Sequence, residues 1–421
     1  MFGKVNQTVI TASILLMAGA AQVWADPLLT RDTQGVMTRP RPDYDAKGLP
    51  LGGFRLFMTG DFLGGYDDNV TRQSAAQGSA YFEGKGNVLL QSQWSRHSLD
   101  VYGNIDALQY TDLPHDSQTN YTAGADGRYD ISRGIDAIAG GSYAALHEPR
   151  QAPEQPGNSL DPTAYRQADA NYALEYHPYS FAVQLGGTYQ RKDYSDTRLI
   201  GGSRLSNNDR DEDIYGLYAK TAYEFSPGYA AFVRADYNDR AFDQTLDRNG
   251  FHRASNGYAV NGGLDLMLSD LLRGEVFVGY LQQNYKGTAG HALANVSGLD
   301  YGASLDWYAT PLFTVHLTAA HTVNDTILAG ASASEDQGGA LSADYEFAEN
   351  IIFQGNVAYR DSKYTSGIRD DKYTDAGFGI KYLLNHNMAL NAHYTFEKRA
   401  STATGGDYDD NIFNVGLTLQ E

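Results

Sequence analysis

The sequence predicts a transmembrane antiparallel up-and-down β-barrel of about 18 strands, and three observations predict it. Segments of about ten residues alternate apolar with polar or small side chains, the connections between them are alternately tight and long, and one short apolar run stands at the start of the chain. An all-β chain of 421 residues without a single cysteine, but with 31 tyrosines and 45 glycines, suits such a wall. Tyrosine belongs at a membrane interface, where its ring sits in the apolar edge and its hydroxyl in water.

The opening residues carry Lys4, an apolar run from about Val9 to Ala21, and Val23-Trp24-Ala25 ahead of Asp26. This is the pattern of a cleavable signal peptide over residues 1–25, because the run falls short of the roughly 20 residues that a spanning helix needs. Residues 26–52 show no strand alternation. Arg31, Arg39-Pro40-Arg41-Pro42, Lys47 and Pro50 make them a stiff, basic lead-in on the periplasmic side. Such a lead-in is a tail, a pore plug or a docking element for a periplasmic partner.

From residue 53 onward the tight turns give the count. They are Trp94-Ser95-Arg96-His97, Ser132-Arg133-Gly134, His177-Pro178-Tyr179-Ser180, Ser226-Pro227-Gly228, Ser269-Asp270, Thr310-Pro311, Ala348-Glu349-Asn350 and Asn385-His386-Asn387. The spacing between them holds two tilted membrane strands and one longer loop. Eight internal tight turns with both ends on one side give eighteen strands over residues 53–421, short turns in the periplasm and long loops outside, in a bacterial outer membrane.

Several strands alternate cleanly enough to assign faces. In the third, Leu99, Val101, Gly103, Ile105 and Ala107 face lipid, while Ser98, Asp100, Tyr102, Asn104 and Asp106 face inward. The ninth sets Tyr229, Ala231, Val233, Ala235 and Tyr237 against Phe232, Arg234, Asp236 and Asn238. In the twelfth, Asp300, Gly302, Ser304 and Asp306 are inward; in the thirteenth, Thr314, His316 and Thr318 are. Met388, Leu390, Ala392, Tyr394 and Phe396 face out from a late strand that holds Asn391 and His393 within. Charges fall on one face only. At the bilayer midplane a misplaced charge costs up to about 2–4 kcal/mol, so the inner face is the hydrated one. The candidate pore-lining residues are therefore Asp100, Tyr102, Asn104, Asp106, Arg234, Asp236, Asp300, Ser304, Asp306, His316, Asn391 and His393. A soluble β-sandwich would show the opposite polarity.

Strands that run outward tend to finish on an aromatic just before an acid, as in Tyr66-Asp67-Asp68, Tyr110-Thr111-Asp112, Tyr194-Ser195-Asp196, Tyr237-Asn238-Asp239 and Tyr359-Arg360-Asp361. This predicts an outer tyrosine belt capped by carboxylates. Tyr66-Asp67-Asp68-Asn69 recurs as Tyr408-Asp409-Asp410-Asn411, and closure of the barrel would bring both to one rim. Asp67, Asp68, Asp409 and Asp410 are thus a candidate site for Ca²⁺ or Mg²⁺, or for the divalent ions that bridge lipopolysaccharide phosphates. The acidic run Asn208-Asp209-Arg210-Asp211-Glu212-Asp213 lacks the glycine and terminal glutamate of an EF-hand.

Chemistry is otherwise sparse. There is no G-x-S-x-G elbow, no H-E-x-x-H and no phosphate-binding loop, and neither His316 nor His393 has a nucleophile placed beside it by sequence. No enzyme is expected, and no cofactor beyond the rim cations. The formal charge of −19, or −20 once Lys4 leaves, excludes nucleic acid as a natural ligand.

Six stretches stand out together: Arg39-Pro40-Arg41-Pro42-Asp43-Tyr44-Asp45, Tyr66-Asp67-Asp68-Asn69-Val70, Trp94-Ser95-Arg96-His97, Ser226-Pro227-Gly228-Tyr229, Gly274-Glu275-Val276-Phe277-Val278-Gly279-Tyr280 and Lys381-Tyr382-Leu383-Leu384-Asn385. Through them the chain resembles the outer-membrane β-barrel porin family of the BBP2 type. The resemblance implies a large outer-membrane barrel whose relatives sometimes accompany exopolysaccharide export. One departure is the ending Leu419-Gln420-Glu421, where such barrels usually finish on an aromatic. Expected functions are a conduit for an exported polysaccharide working with a periplasmic partner, or a general diffusion porin for small, cation-preferred solutes. An outer-membrane hydrolase and a plugged structural or adhesive barrel are the remaining alternatives.

Overall fold

A computed structural model describes residues 34–268 and 271–421. The signal peptide at residues 1–25, Arg31 and the turn Ser269-Asp270 lie outside the described residues. Eighteen long strands are found among them, in the order β1 (Phe54–Asp67), β2 (Ser79–Ser92), β3 (Ser98–Tyr110), β4 (Gln118–Ser132), β5 (Ile135–His147), β6 (Ala164–Tyr176), β7 (Phe181–Tyr194), β8 (Glu212–Ser226) and β9 (Tyr229–Phe242). They continue as β10 (Ser255–Leu268), β11 (Leu272–Tyr285), β12 (Val296–Thr310), β13 (Phe313–Asp325), β14 (Ala333–Ala348), β15 (Ile351–Tyr364), β16 (Asp370–Asn385), β17 (Met388–Ser401) and β18 (Tyr408–Gln420).

Each strand pairs antiparallel with its neighbour in sequence, and β18 returns to β1 with Thr59 opposite Gln420 and Asp67 opposite Ile412. That last pairing removes the sheet's free edges, which lipid could not hydrogen-bond. A short strand, Leu49–Leu51, folds back on Phe54–Leu56 beside the end of β18. The wall therefore begins a few residues earlier than the alternation suggested.

The seven expected tight turns within the described residues lie where the turn residues predicted them, and five of these hairpins carry a one-residue register shift beside the turn, at Asp130/Ser132, Glu224/Ser226, Trp307/Thr310, Glu346/Ala348 and Leu383/Asn385. Such bulges add local right-handed twist where a strand must reverse. At Pro227-Gly228 the proline presets the first turn residue and Gly228 takes φ +82°. A Cβ there would lie 2.2 Å from the Met267 carbonyl oxygen, so the position needs glycine twice over.

The outer face carries two aromatic girdles. Exposed Tyr66, Tyr121, Tyr215, Tyr237, Tyr258, Tyr280, Tyr359 and Tyr394 mark the long-loop end, and exposed Trp94, Tyr129, Tyr176, Phe225, Trp307, Phe347 and Tyr382 mark the short-turn end. Between them Val101, Val233, Val260, Val278, Leu317, Leu341, Val357, Leu390 and Val415 are exposed too, which is the apolar band a bilayer covers.

Two members of the expected tyrosine belt belong elsewhere. The Tyr110 hydroxyl donates to Asp67 Oδ2 at 3.1 Å, and the Tyr194 ring lies under the Arg210 guanidinium, 3.9 Å from its centroid. Both rings face the lumen, because strand parity makes Tyr110 the successor of Asp106 and Leu108, and Tyr194 the successor of Lys192.

Candidate functional site

The lumen encloses a cavity of about 1150 Å³ lined by seven basic and eleven acidic side chains together with amides, hydroxyls and tyrosines. Alternation turns the strand-borne groups inward from β1–β8 and β13–β18, and loops supply Arg72, Asp116, Glu148, Arg150, Glu154 and Arg210. Asn104, Asp106, Asn391 and His393 are among the lining residues.

The other candidates lie outside this cavity's lining, and several of them pair with neighbours. Arg234 pairs with Asp236 at 2.6 Å, Asp300 accepts from Asn261 Nδ2 at 2.7 Å, and His316 lies between Asp306 at 2.6 Å and Asp344 at 3.5 Å. Asp100, Tyr102 and Ser304 also stand apart from this cavity's lining. Beside them Lys220, fully buried, bridges Asp265 at 3.3 Å and Glu275 at 2.5 Å with its ammonium 4.2 Å from the Phe232 ring centroid. Ion clusters of this kind line the wall beyond this cavity.

The outer mouth is crossed by the loop of residues 148–163, between β5 and β6. Pro149, Pro153, Pro156 and Pro162 restrict its backbone. Its own polar groups knit it together: Arg150 donates to Asp116 Oδ1 at 2.5 Å, to Ser159 Oγ at 2.7 Å and to the Leu160 carbonyl at 2.8 Å, and Gln155 bonds Ser159 and Thr163. Two distant anchors then hold it over the lumen. Arg399 Nη1 on β17 donates to the Gln151 carbonyl at 2.8 Å, and Thr326 Oγ1, just beyond β13, donates to Glu154 Oε1 at 2.8 Å. From β5 to β13 is eight strands in a ring of eighteen, nearly the full diameter.

Burial pushes the Glu154 carboxyl above its ordinary 4.5, with Glu148 adding to the rise and Arg210 opposing it. Arg210 in turn makes a bidentate pair with Glu148. In the neighbouring acidic loop, burial alone would raise Asp209, but three hydrogen bonds from Arg248 outweigh it and hold the carboxyl below its usual range. Glu212 is held by Lys192 at 3.0 Å and Asp213 by Arg191 at 3.0 Å.

The periplasmic mouth is occupied by residues 35–46. Val36, wholly buried, sits against Ile352, Leu383 and Ala389, and its amide donates to Thr314 Oγ1 at 2.9 Å. Arg39 and Arg41 converge on Glu346, the latter at 2.6 Å, and Gln420 Nε2 reaches the Tyr44 carbonyl at 2.9 Å. Met37 forms part of the cavity floor. The described part of the basic lead-in, with Arg39 and Arg41, thus lies at the inner mouth of the barrel, and sequence had no means of naming its partner Glu346, 305 residues away from Arg41.

At the seam the two acidic repeats do meet, since Asn411 N and Nδ2 donate to Asp68 at 2.7 and 2.8 Å. The structure does not, however, gather the four carboxylates into one site. Strand alternation sends Asp67 and Asp410 inward, where Arg72 bonds both at 2.9 Å and Glu397 at 3.3 Å, while Asp409 lies outside near Lys398 at 3.4 Å. A guanidinium supplies the positive charge that a divalent ion would have brought. Asp193, Asp211 and Asp243 bring ligand atoms within 4.8 Å of one another, but Arg191 already bonds two of them.

Most cavity cations are likewise neutralised. Arg72, Lys85, Arg150, Lys192 and Arg210 each pair with a carboxylate, and Arg360 lies 4.1 Å from the Tyr373 ring centroid. Lys381 makes no ion pair or hydrogen bond among the described residues, and nothing in its sequence neighbourhood set it apart.

A closed eighteen-strand wall with aromatic girdles, a lipid-facing apolar band and a wet, charged lumen defines an outer-membrane β-barrel channel. Residues 41–421 match the family described as "Putative beta-barrel porin 2", and the chain belongs to that family, which places it in the bacterial outer membrane. No curated protein matches the chain. Among solved structures it is similar to Pseudomonas aeruginosa OpdL (14% identity, 88% of this chain and 99% of that one, TM-score 0.42) and Acinetobacter baumannii OccAB2 (13%, 88% and 98%, 0.46). It is also similar to the P. aeruginosa ferric enterobactin receptor PfeA (9%, 87% and 81%, 0.46).

Proposed function

We propose that the protein is a passive diffusion channel for small hydrophilic solutes, with a preference for cations. The single observation that carries this reading is the loop of residues 148–163, which is stiffened by prolines and tied to the far wall through Gln151 and Glu154. A loop so anchored divides a wide lumen into narrow passages, which suits a size limit for small molecules. Excess carboxylate around the cavity lowers the energy of a cation inside it and raises that of an anion.

A conduit for an exported polysaccharide, working with a periplasmic partner, is the second reading. Tyr81, Tyr110, Tyr165, Tyr194 and Tyr364 around the cavity favour it, because sugars stack on such rings. A polymer would require both the loop and the segment at the periplasmic mouth to withdraw. Planar-bilayer recording of the purified protein tests the choice. Steady, cation-selective conductance without a partner supports the diffusion channel; conductance near zero that rises only with a periplasmic partner, and is blocked by oligosaccharide, overturns it in favour of the conduit.

A further inference from the structure

We infer that residues 35–47 are a displaceable plug of the periplasmic mouth and that Glu346 is its latch. This rests on the channel reading for its purpose, though not for its primary test.

The segment occupies the lumen without joining the wall. Leu49–Leu51 pairs with β1 residue by residue, whereas the segment before it folds into two turns, closed by Arg39 N to the Gly35 carbonyl at 2.9 Å and by Asp45 N to the Arg41 carbonyl at 2.7 Å. Its ties to the barrel can be named one by one. Val36, with Met37 and Tyr44 beside it, fills a small apolar seat made by β15, β16 and β17. Thr314 and Gln420 each supply one hydrogen bond, Arg39 Nη1 donates to the Pro311 carbonyl at 3.3 Å, Arg55 donates to the Lys47 carbonyl at 2.5 Å, and Glu346 takes both Arg39 and Arg41.

Glu346 organises the segment as well as gripping it. The Arg41 Nη2 that lies 2.6 Å from its Oε2 also donates to the Val36 carbonyl at 2.7 Å, so one guanidinium closes the turn and fastens it to β14. Arg39 takes the other carboxylate oxygen. Glu346 and Arg41 are only 4% and 5% exposed, and an ion pair this dry holds firmly only while both partners are present. Removal of either one leaves a buried charge that is relieved by letting the segment go into water.

The joint is built in. Gly48 adopts φ +65°, and a Cβ on it would meet Phe57 Cε1 at 2.7 Å and Arg55 Cγ at 2.8 Å. Everything before Gly48 can swing out while the pairing of Leu49–Leu51 with β1 and of β1 with β18 is untouched. Pro40 and Pro42 flank Arg41 and keep the released stretch from collapsing into new secondary structure.

The chain has no cysteine, which leaves a silent background for thiol chemistry. In a Val36→Cys variant, labelling by a membrane-impermeant maleimide in vesicles with the periplasmic mouth outward is expected to be slow, because position 36 is covered. Adding Glu346→Gln is expected to raise the rate roughly tenfold or more, the change that about 1.4 kcal/mol of lost latch energy produces. Arg41→Gln makes the same test from the segment's side should the Glu346 variant fail to assemble. Equal labelling with and without these substitutions overturns the plug. In bilayers, a Val36→Cys, Thr314→Cys pair should conduct less when oxidised than when reduced. If the labelling responds while no form conducts, the plug stands and the channel reading falls.

Discussion

Across the lumen, the Arg399 guanidinium on β17 donates to the main-chain oxygen of Gln151, 248 residues away, and so turns a surface loop into a crossbeam. Arg399→Ala is expected to loosen that beam, and it also removes the Nε hydrogen bond to the Gly406 carbonyl and the guanidinium 5.0 Å from the Tyr408 ring centroid, both beside β18. Single-channel conductance should rise and become noisier, and deletion of residues 150–160 should raise it further; an unchanged conductance in both would show that the loop does not limit flow.

Acid should tighten the same beam. Glu154 is raised above its ordinary value by burial, so the docked loop binds its proton more strongly than the released loop does. Docking is therefore firmest below the released value, near 4.5, and weakens as pH climbs through the raised one. The groups facing Glu154 include Thr326, Arg210, Glu148 and Tyr364. Conductance is expected to fall on acidification, and Glu154→Gln should flatten the pH profile at the low-conductance level.

Lys381 is the cavity lysine without an ion pair or hydrogen bond among the described residues. Lys381→Gln removes one positive charge from a lumen already richer in acids, so the cation-to-anion permeability ratio from reversal potentials in a salt gradient should increase. Lys85→Gln should move it less, because Glu83 already screens Lys85 at 3.0 Å.

Removing Arg72 should damage the seam. Asp67 and Asp410, 1% and 0% exposed, would lose the guanidinium between them, and breaking a buried pair by deleting one partner costs about 3–5 kcal/mol. Urea unfolding in micelles is expected to show Arg72→Ala destabilised by that order. With Arg72 present, calcium titration calorimetry should give no heat that Asp409→Ala with Asp410→Ala abolishes.

The bilayer band offers a control on the whole arrangement. Val233→Arg places a charge on the lipid face and should cost about 2–4 kcal/mol, whereas Asn104→Arg, on the lumen side, should leave folding into vesicles close to wild type. Equal penalties would contradict the face assignment.

What the sequence made legible follows from the range of each interaction. Strands and tight turns depend on neighbours two to four positions apart, and Val233 against Arg234, or Pro227 before Gly228, declare themselves locally. Even the misplaced Tyr110 and Tyr194 carried the right signal: counting by twos from Asp100 puts Tyr110 inside, and the motif of an aromatic before an acid masked that parity. The contents of the lumen are another matter. Four prolines mark residues 148–163 as a stiff loop, yet nothing nearby in sequence says that it turns inward to Arg399 and Thr326. Arg39 and Arg41 read as a solvated basic lead-in until the barrel brings Glu346 to them. The acidic repeats promised a shared rim and delivered it, but the intervening Arg72 comes from a loop whose direction only closure determines.

The side chain of Gln420 touches both the Tyr44 carbonyl and the His386 carbonyl, on the strand that is made last. Of the segment's ties, this one alone waits for the final strand to zip against the first, since Thr314, Glu346 and the seat of Val36 belong to the strands before it. Closing the cylinder therefore adds the last fastening to its own floor.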